Sequence, residues 1–334
     1  MAEVQEAFLF KNTLCVRLAA AGYTAVISPL TGASVLRLRN EEKNCEIFRY
    51  QEAVSMEEID CAREIWGLPT LYLPNRYDGG VLKTADAVYK LPINEAPLGN
   101  FIHGFVHKRP HTVESVFADA DTASVTTRFY YGADDVLFAA FPLAFEITYT
   151  FTLSARGLAQ NITLISHADK ALPVSICTHT CLNAPLVDSG DERAMTLRVP
   201  VTEKCGLDAR CLPDEMLSPL DDWDMEYKTG TKRPTKQNIS NDMYTADFTE
   251  LDSAPFYGVV VTDAQSGLRL CNEVSPEFKF WNMWNDGGEK GYFCPEPMTA
   301  MINAPNLSLP REVTGYRELS NGERFDCWQR FFVI

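Results

Sequence analysis

A single carboxylate, Glu296, stands between Pro295 and Pro297 in the segment "GYFCPEPMTAMINAPN", and no lysine or arginine occurs from Cys294 to Asn306. Proline fixes φ on both sides of the acid, which lowers the entropy of holding its side chain in one orientation. A surface acid gains nothing from such a frame, whereas an acid that must remove a proton does. A second kind of residue that could do chemistry is a histidine, whose imidazole changes charge near neutrality. His179 in "LPVSICTHTCLNAP" is the candidate. Read as a strand, this segment turns Val174 and Ile176 to one side and Ser175, Cys177 and His179 to the other. The second face is small and mildly polar, suited to lining a groove, and "LNAP" ends the strand so that the imidazole lies near a rim. A lone histidine is more often structural, so the assignment needs further residues.

Two segments supply them. "LPNRYDGG" carries Asn75 and Arg76 into a glycine-rich turn. Arginine offers five donors in a rigid fork, which suits adjacent hydroxyls or a carboxylate, although a solvated loop would also hold one. "NFIHGFVHKRPH" contains three of the five histidines. His103 precedes Gly104, whose missing Cβ allows close approach, whereas His107 and His111 flank Lys108 and Arg109 and are expected at the surface. Cys177, His179 and Cys181 alternate in "CTHTC" and invite a metal-site reading. On a strand, however, such neighbours lie ~6.6 Å apart. Donors to zinc must sit only ~2.0–2.3 Å from the ion, so these three cannot converge, and no metal is expected.

The elements that must position these groups read as strands. "FEITYTFTL" alternates Phe145, Ile147, Tyr149, Phe151 and Leu153 against Glu146, Thr148, Thr150 and Thr152. With "SARG" and "LAQNITLIS" it predicts a hairpin over 145–166. "ASVTTRFYY", "YGVVVTD", "GLRLCNEV" and "FDCWQRFFVI" behave alike, and turn signals recur at Asp78, Ser266, Asn285 and Asn321. Only "SMEEIDCAREIW" (Ser55–Trp66) reads as helical, with Ser55 as N-cap. Pro213 to Asn241 is polar and Lys/Thr-rich and reads as a long excursion rather than a domain boundary. Many strands with almost no helix imply an all-β protein, a large antiparallel β-sandwich forming one domain over 1–334.

The totals narrow the partners. The 334 residues are 46% hydrophobic with 11% aromatics, ample for a packed core. A formal net charge of −15, with no basic patch to offset it, disfavours nucleic acid and anionic membrane and suits a small neutral ligand. The first 20 residues lack the basic region of a signal peptide, and no apolar run approaches the ~20 residues of a membrane span. A cytoplasmic location is expected, with the ten cysteines as free thiols and the sequons at Asn161, Asn238 and Asn306 unused.

Four motifs in order, "LPNRYDGG", "HGF" about 27 residues on, "LPVSICTHTCLNAP" and "CPEPMTAMINAPN", make the chain resemble the aldose 1-epimerase (galactose mutarotase-like) superfamily from near residue 10 to the C-terminus. The resemblance implies the galactose mutarotase-like supersandwich, with the sugar on its concave face. It implies that Glu296 is the general base, that His179 is the general acid, and that Arg76, His103 and Asn75 hold sugar hydroxyls. The family's sugar-binding aspartate falls at Asp242 in "SNDMYTADF", with Asp247 as competitor. An aromatic pair common in the family soon after the acidic histidine is replaced here by "TCL", which leaves the sugar open.

The implied reaction interconverts α and β anomers of an aldose by ring opening, which needs an acid and a base but no cofactor. The implied partner is a small sugar, for a monomer or homodimer. A sugar-phosphate epimerase would need extra cations at the groove. A glycoside hydrolase would need a second carboxylate, and the sequence frames only one. A non-catalytic sugar-binding protein is the remaining alternative. In every case Trp281 and Trp284 in "FWNMWND" could stack on a sugar or pack in the core.

Overall fold

The computed structural model describes residues 1–334 and is built of antiparallel strands, with three short α-helices. Two large sheets face one another. One runs in the order Thr112–Ala118, Ala123–Tyr131, Phe145–Ser154, Gly157–Ser166, Arg324–Val333, Arg269–Val274, Gly258–Asp263, Met195–Arg198. The other runs Pro213–Pro219, Val201–Leu207, Ser240–Ala246, Phe280–Trp284, Tyr292–Met298, Cys177–Thr178, Thr70–Leu71, with Leu182–Asn183 also paired to Tyr292–Met298. A five-stranded sheet at the N-terminus, from Glu3–Phe10 to Cys45–Glu46, packs beside them.

The alternation explains the burial. Phe145, Ile147, Tyr149, Phe151 and Leu153 are fully buried, and the residues between them are half-buried. They join a cluster of 64 buried apolar residues that draws Tyr244, Trp281, Met283 and Phe293 from the opposite sheet. Burial of this kind is worth about 25 cal/mol per Å² of apolar surface and is the main force closing the sandwich. The predicted hairpin pairs Phe145 with Ser166 and closes at Ser154 and Gly157. Gly157 has φ +83, and a Cβ there would lie 2.0 Å from the Phe331 carbonyl, so the turn requires glycine.

Two expectations are corrected, and the excursion at 213–241 is given its elements. The helix starts as predicted, with a capping box between Ser55 and Glu58, but it ends at Cys61 and tightens into a 3₁₀ turn over Arg63–Ile65. The excursion at 213–241 is ordered. It holds the edge strand Pro213–Pro219 and the helix Asp222–Thr229, capped by Asp221. The segment around His179 is not one alternating strand. It pairs only at Leu172–Val174, Cys177–Thr178 and Leu182–Asn183, and everything from Leu172 to Leu182 is buried. No helix is long and apolar enough to cross a membrane.

Candidate active site

The frame around Glu296 is a break in a ladder. Tyr292–Met298 pairs along one edge with Phe280–Trp284, so that Asn282 stands opposite Glu296. On its other edge it pairs at Leu182↔Phe293 and again at Cys177↔Met298. Between those rungs Pro295 and Pro297 have no N–H to donate, and the facing chain from Thr178 to Thr180 leaves the ladder. His179 lies in that detour, anchored by its own N–H to the Pro69 carbonyl at 2.9 Å. The prolines therefore hold the acid still and also make room for the imidazole.

A cavity of about 190 Å³ forms there, lined by Glu64, Ile65, Asn75, Arg76, His103, His179, Asn241, Asn282, Trp284 and Glu296. A larger groove of about 440 Å³, lined in part by Asp78, Arg210 and Asn303, contains neither Glu296 nor His179. In the smaller cavity His179 Nε2 lies 3.5 Å from Glu296 Oε1. Cys177 Sγ lies 3.9 Å from Glu296 Oε2, so the shared face read from the sequence survives at these two residues. His103 meets His179 edge to face at 5.3 Å between ring centres, and Trp284 does so at 5.9 Å.

Local backbone explains how His103, Asn75 and Arg76 arrive. Asn75 and His103 both have positive φ, and the His103 N–H bonds the Asn75 carbonyl at 2.9 Å. Gly104 does permit a close approach, but what approaches is the chain itself: a Cβ there would sit 2.1 Å from the Tyr72 carbonyl. Arg76 is oriented by Glu95, which accepts from Nε at 3.0 Å and from a terminal nitrogen at 2.9 Å.

Burial and charge set the proton affinities. Removal from water pushes Glu296 up to about 7, only partly offset by the positive charge of His179. Burial alone would lower His179, but the Glu296 charge and the neighbouring Cys181 outweigh it and raise the imidazole to about 9. Burial, followed by the charge of His179, holds His103 well below the usual histidine range, so it stays neutral. The cavity thus combines an acceptor near neutrality, a proton donor above it and a neutral second histidine.

The structure brings Arg76, His103, Asn75, His179 and Glu296 to one cavity and leaves Asp242 outside it. The Asp242 carboxylate instead accepts from Trp223 Nε1 at 2.8 Å and Tyr227 Oη at 3.2 Å. A register shift between Ser240 and Asp242 bulges Asn241 outward at φ +58, and it is Asn241 that lines the cavity. Asp247 does not line it either. His107 and His111, expected at the surface, are buried: His107 Nε2 meets Glu64 at 2.9 Å, and His111 stacks on Phe129 and Tyr149. Trp281 belongs to the core and Trp284 to the cavity.

Glu64, Asn241 and Asn282 are lining residues that sequence reasoning missed. Glu64 gave no signal, since a helix end is an ordinary place for an acid. Asn282 did give one, an amide within the aromatic run "FWNMW". It is 1% exposed, and its amide, near enough to Glu296 to favour that acid's charged form, completes no hydrogen bond of ordinary geometry. Such a buried amide is one that a ligand can satisfy.

Comparison with known proteins speaks to the fold and the family. Among solved structures, the chain is similar to a galactose mutarotase-like protein from Clostridium acetobutylicum, with 28% identity and a TM-score of 0.95 over 100% of this chain and 98% of that one. It is also similar to a galactose 1-epimerase from Lactobacillus acidophilus, with 14% identity and a TM-score of 0.76 over 100% and 98%. A galactose mutarotase-like protein from Lactobacillus casei matches with 15% identity and a TM-score of 0.71 over 96% and 100%. The last two identities speak to the fold alone. Sequence similarity to the family described as aldose 1-epimerase runs over residues 15–331, and on that match, nearly end to end, the chain belongs to the aldose 1-epimerase family.

Proposed function

We propose that the protein interconverts the α and β anomers of a free aldose, with Glu296 as general base and His179 as general acid. One observation carries this reading: His179 Nε2 and Glu296 Oε1 lie 3.5 Å apart in the wall of a cavity that also presents Arg76 and His103. The anomeric hydroxyl and the ring oxygen of an aldose are bound to the same carbon, so one closely spaced acid–base pair serves both. Glu296 takes the proton from O1 as His179 gives one to the ring oxygen. The bond from C1 to the ring oxygen breaks and the aldehyde forms. After rotation about C1–C2 the ring recloses on the other face, and each group takes back the proton state it began with.

Between pH of about 7 and about 9 the two groups stand as carboxylate and imidazolium, the forms that the first step requires. Arg76, His103, Asn75 and Asn241 offer the polar contacts that hold sugar hydroxyls, and a cavity of about 190 Å³ suits a monosaccharide. The nearby cations are already engaged. Arg76 pairs with Glu95, Lys108 with Glu64 and Arg109 with Asp135, which favours a neutral sugar over a sugar phosphate. The second carboxylate, Glu64, is held ionised: burial would raise it, but the contacts of His107 and Lys108 hold it below the usual carboxylate range, unsuited to a glycosidase's acid. A pure binding module would have no use for the opposed proton affinities of the pair.

The test is polarimetry of freshly dissolved α-galactose, α-glucose, α-arabinose and α-xylose, with the corresponding 6-phosphates of the hexoses in parallel. Acceleration of mutarotation for at least one free aldose is expected. No acceleration for any of them, alongside measurable sugar binding, would replace the enzyme by a sugar-binding protein.

A further inference from the structure

Three donors that the proposed reaction does not use meet behind His179. The rungs Asn183↔Tyr292 and Leu182↔Phe293 bring Cys181 opposite Cys294 on the next step. The Ala184 N–H bonds the Gly291 carbonyl, so by alternation the cysteine pair falls at a non-hydrogen-bonded position, where facing side chains approach most closely. Cys181 Sγ lies 3.5 Å from Cys294 Sγ and 3.5 Å from His179 Nδ1, and the three donor atoms all lie within 4.8 Å of one another. Around a tetrahedral zinc ion, bonds of about 2.3 Å to sulfur and about 2.0–2.1 Å to nitrogen separate two sulfurs by about 3.8 Å and sulfur from nitrogen by about 3.5 Å. The two measured edges match those spacings to within a few tenths of an ångström. Cys181 and Cys294 are fully buried and His179 nearly so. Cys177, the third member of "CTHTC", turns to Glu296 instead, so only His179 and Cys181 of the triplet come together and the third donor comes from a different strand.

We propose that His179 Nδ1, Cys181 Sγ and Cys294 Sγ bind a thiophilic d¹⁰ cation, Zn²⁺ foremost, and that its binding switches off the acid of the epimerase reaction. Thiolates and imidazole are the ligand set that such ions select. Binding releases the thiol protons and the Nδ1 proton of the imidazolium to solvent and engages the lone pair so freed on Nδ1. His179 then carries its only proton on Nε2, facing Glu296 at 3.5 Å. Held that way, the ring is a neutral hydrogen-bond donor with no imidazolium proton to give the ring oxygen. The site is inhibitory rather than a cofactor site. The inhibition rests on the acid role argued for His179; the binding does not.

The experiment uses the full chain, reduced with a non-thiol reductant, and titrates it with Cd²⁺ as optical probe and with Zn²⁺ in equilibrium dialysis. One ion per chain is expected, with a thiolate-to-cadmium charge-transfer band in the ultraviolet. Cys294→Ala and Cys181→Ala should each abolish the band while keeping the parent circular dichroism spectrum, and Cys177→Ala should retain it. Should either alanine variant fail to fold, Cys294→Ser and Cys181→Ser serve in its place, since serine is a poor ligand for these ions. A wild-type protein without a one-to-one band, or a band that Cys177→Ala removes and Cys294→Ala leaves, overturns the site. In the activity arm, saturating Zn²⁺ should slow mutarotation by wild type about 10²-fold or more, and Cys294→Ala should be indifferent to it. Undiminished turnover at full occupancy overturns the inhibition while leaving the site intact. A protein that binds the ion yet never mutarotates a sugar separates failure of the epimerase reading from failure of the site.

Discussion

Replacing Glu296 with glutamine removes one proton acceptor and little else. The carboxamide occupies the same volume between Pro295 and Pro297, opposite Asn282, so the strand and its ladder should persist. Loss of one positioned general base lowers kcat by about 10²–10⁴-fold, about 2.7–5.4 kcal/mol of transition-state stabilisation. A second consequence follows from the neighbouring imidazole. Burial depresses His179, and the Glu296 charge is the largest influence raising it, to about 9. With that charge gone, the proton affinity of His179 falls. In the parent, kcat/KM should rise as Glu296 ionises near about 7 and fall as His179 loses its proton near about 9. In Glu296→Gln the rising limb should vanish, and the falling limb of the residual activity should move to lower pH, because a weakened histidine deprotonates earlier. The assay is polarimetry across pH with chelator present throughout, on protein whose far-ultraviolet circular dichroism matches the parent. Turnover within a few-fold of the parent would refute Glu296 as the base. A falling limb still near pH 9 would refute the coupling of the pair.

His179→Asn should depress turnover comparably, and the double variant should cost less than the sum, because the two groups act as one unit; additive losses would separate them. Arg76→Ala should raise KM about tenfold or more with kcat little changed, since a charged hydrogen bond to a sugar hydroxyl is made in ground and transition states alike. A fall in kcat at constant KM would move Arg76 into the chemistry. Trp281→Ala, in the core, should lower stability by about 3–5 kcal/mol in denaturant titrations. Trp284→Ala, at the cavity, should cost less stability and raise KM; equal stability losses would contradict their separate placement. Exhaustive chelation should leave mutarotation undiminished, and a loss that zinc restores would give a metal a catalytic role.

Much of the fold was legible because a strand's side chains alternate with period two, and that alternation is local. Phe145 to Leu153 could be sorted into core and outer face from spacing alone, as could the hairpin that Gly157 closes. The proline frame of Glu296 was legible for the same reason, since two prolines restrict the backbone wherever they stand. Convergence was not local. The resemblance to a family implied that residues 76, 103, 179 and 296 share a site, but spacing along the chain could not join them. Asn241 displaced Asp242 from the cavity because one bulge shifts the register between Ser240 and Asp242, and a one-residue slip sends each side chain to the other face. His107 and His111 are buried, despite basic neighbours, because Glu64 comes from a distant helix end and Phe129 and Tyr149 from the far sheet. The "CTHTC" triplet cannot converge by its own spacing, yet Cys181 Sγ lies 3.5 Å from His179 Nδ1 and 3.5 Å from Cys294 Sγ, because a separate strand pairs there. Pairing between segments more than a hundred residues apart is decided by the closing of the whole sandwich, and no period within a segment records it.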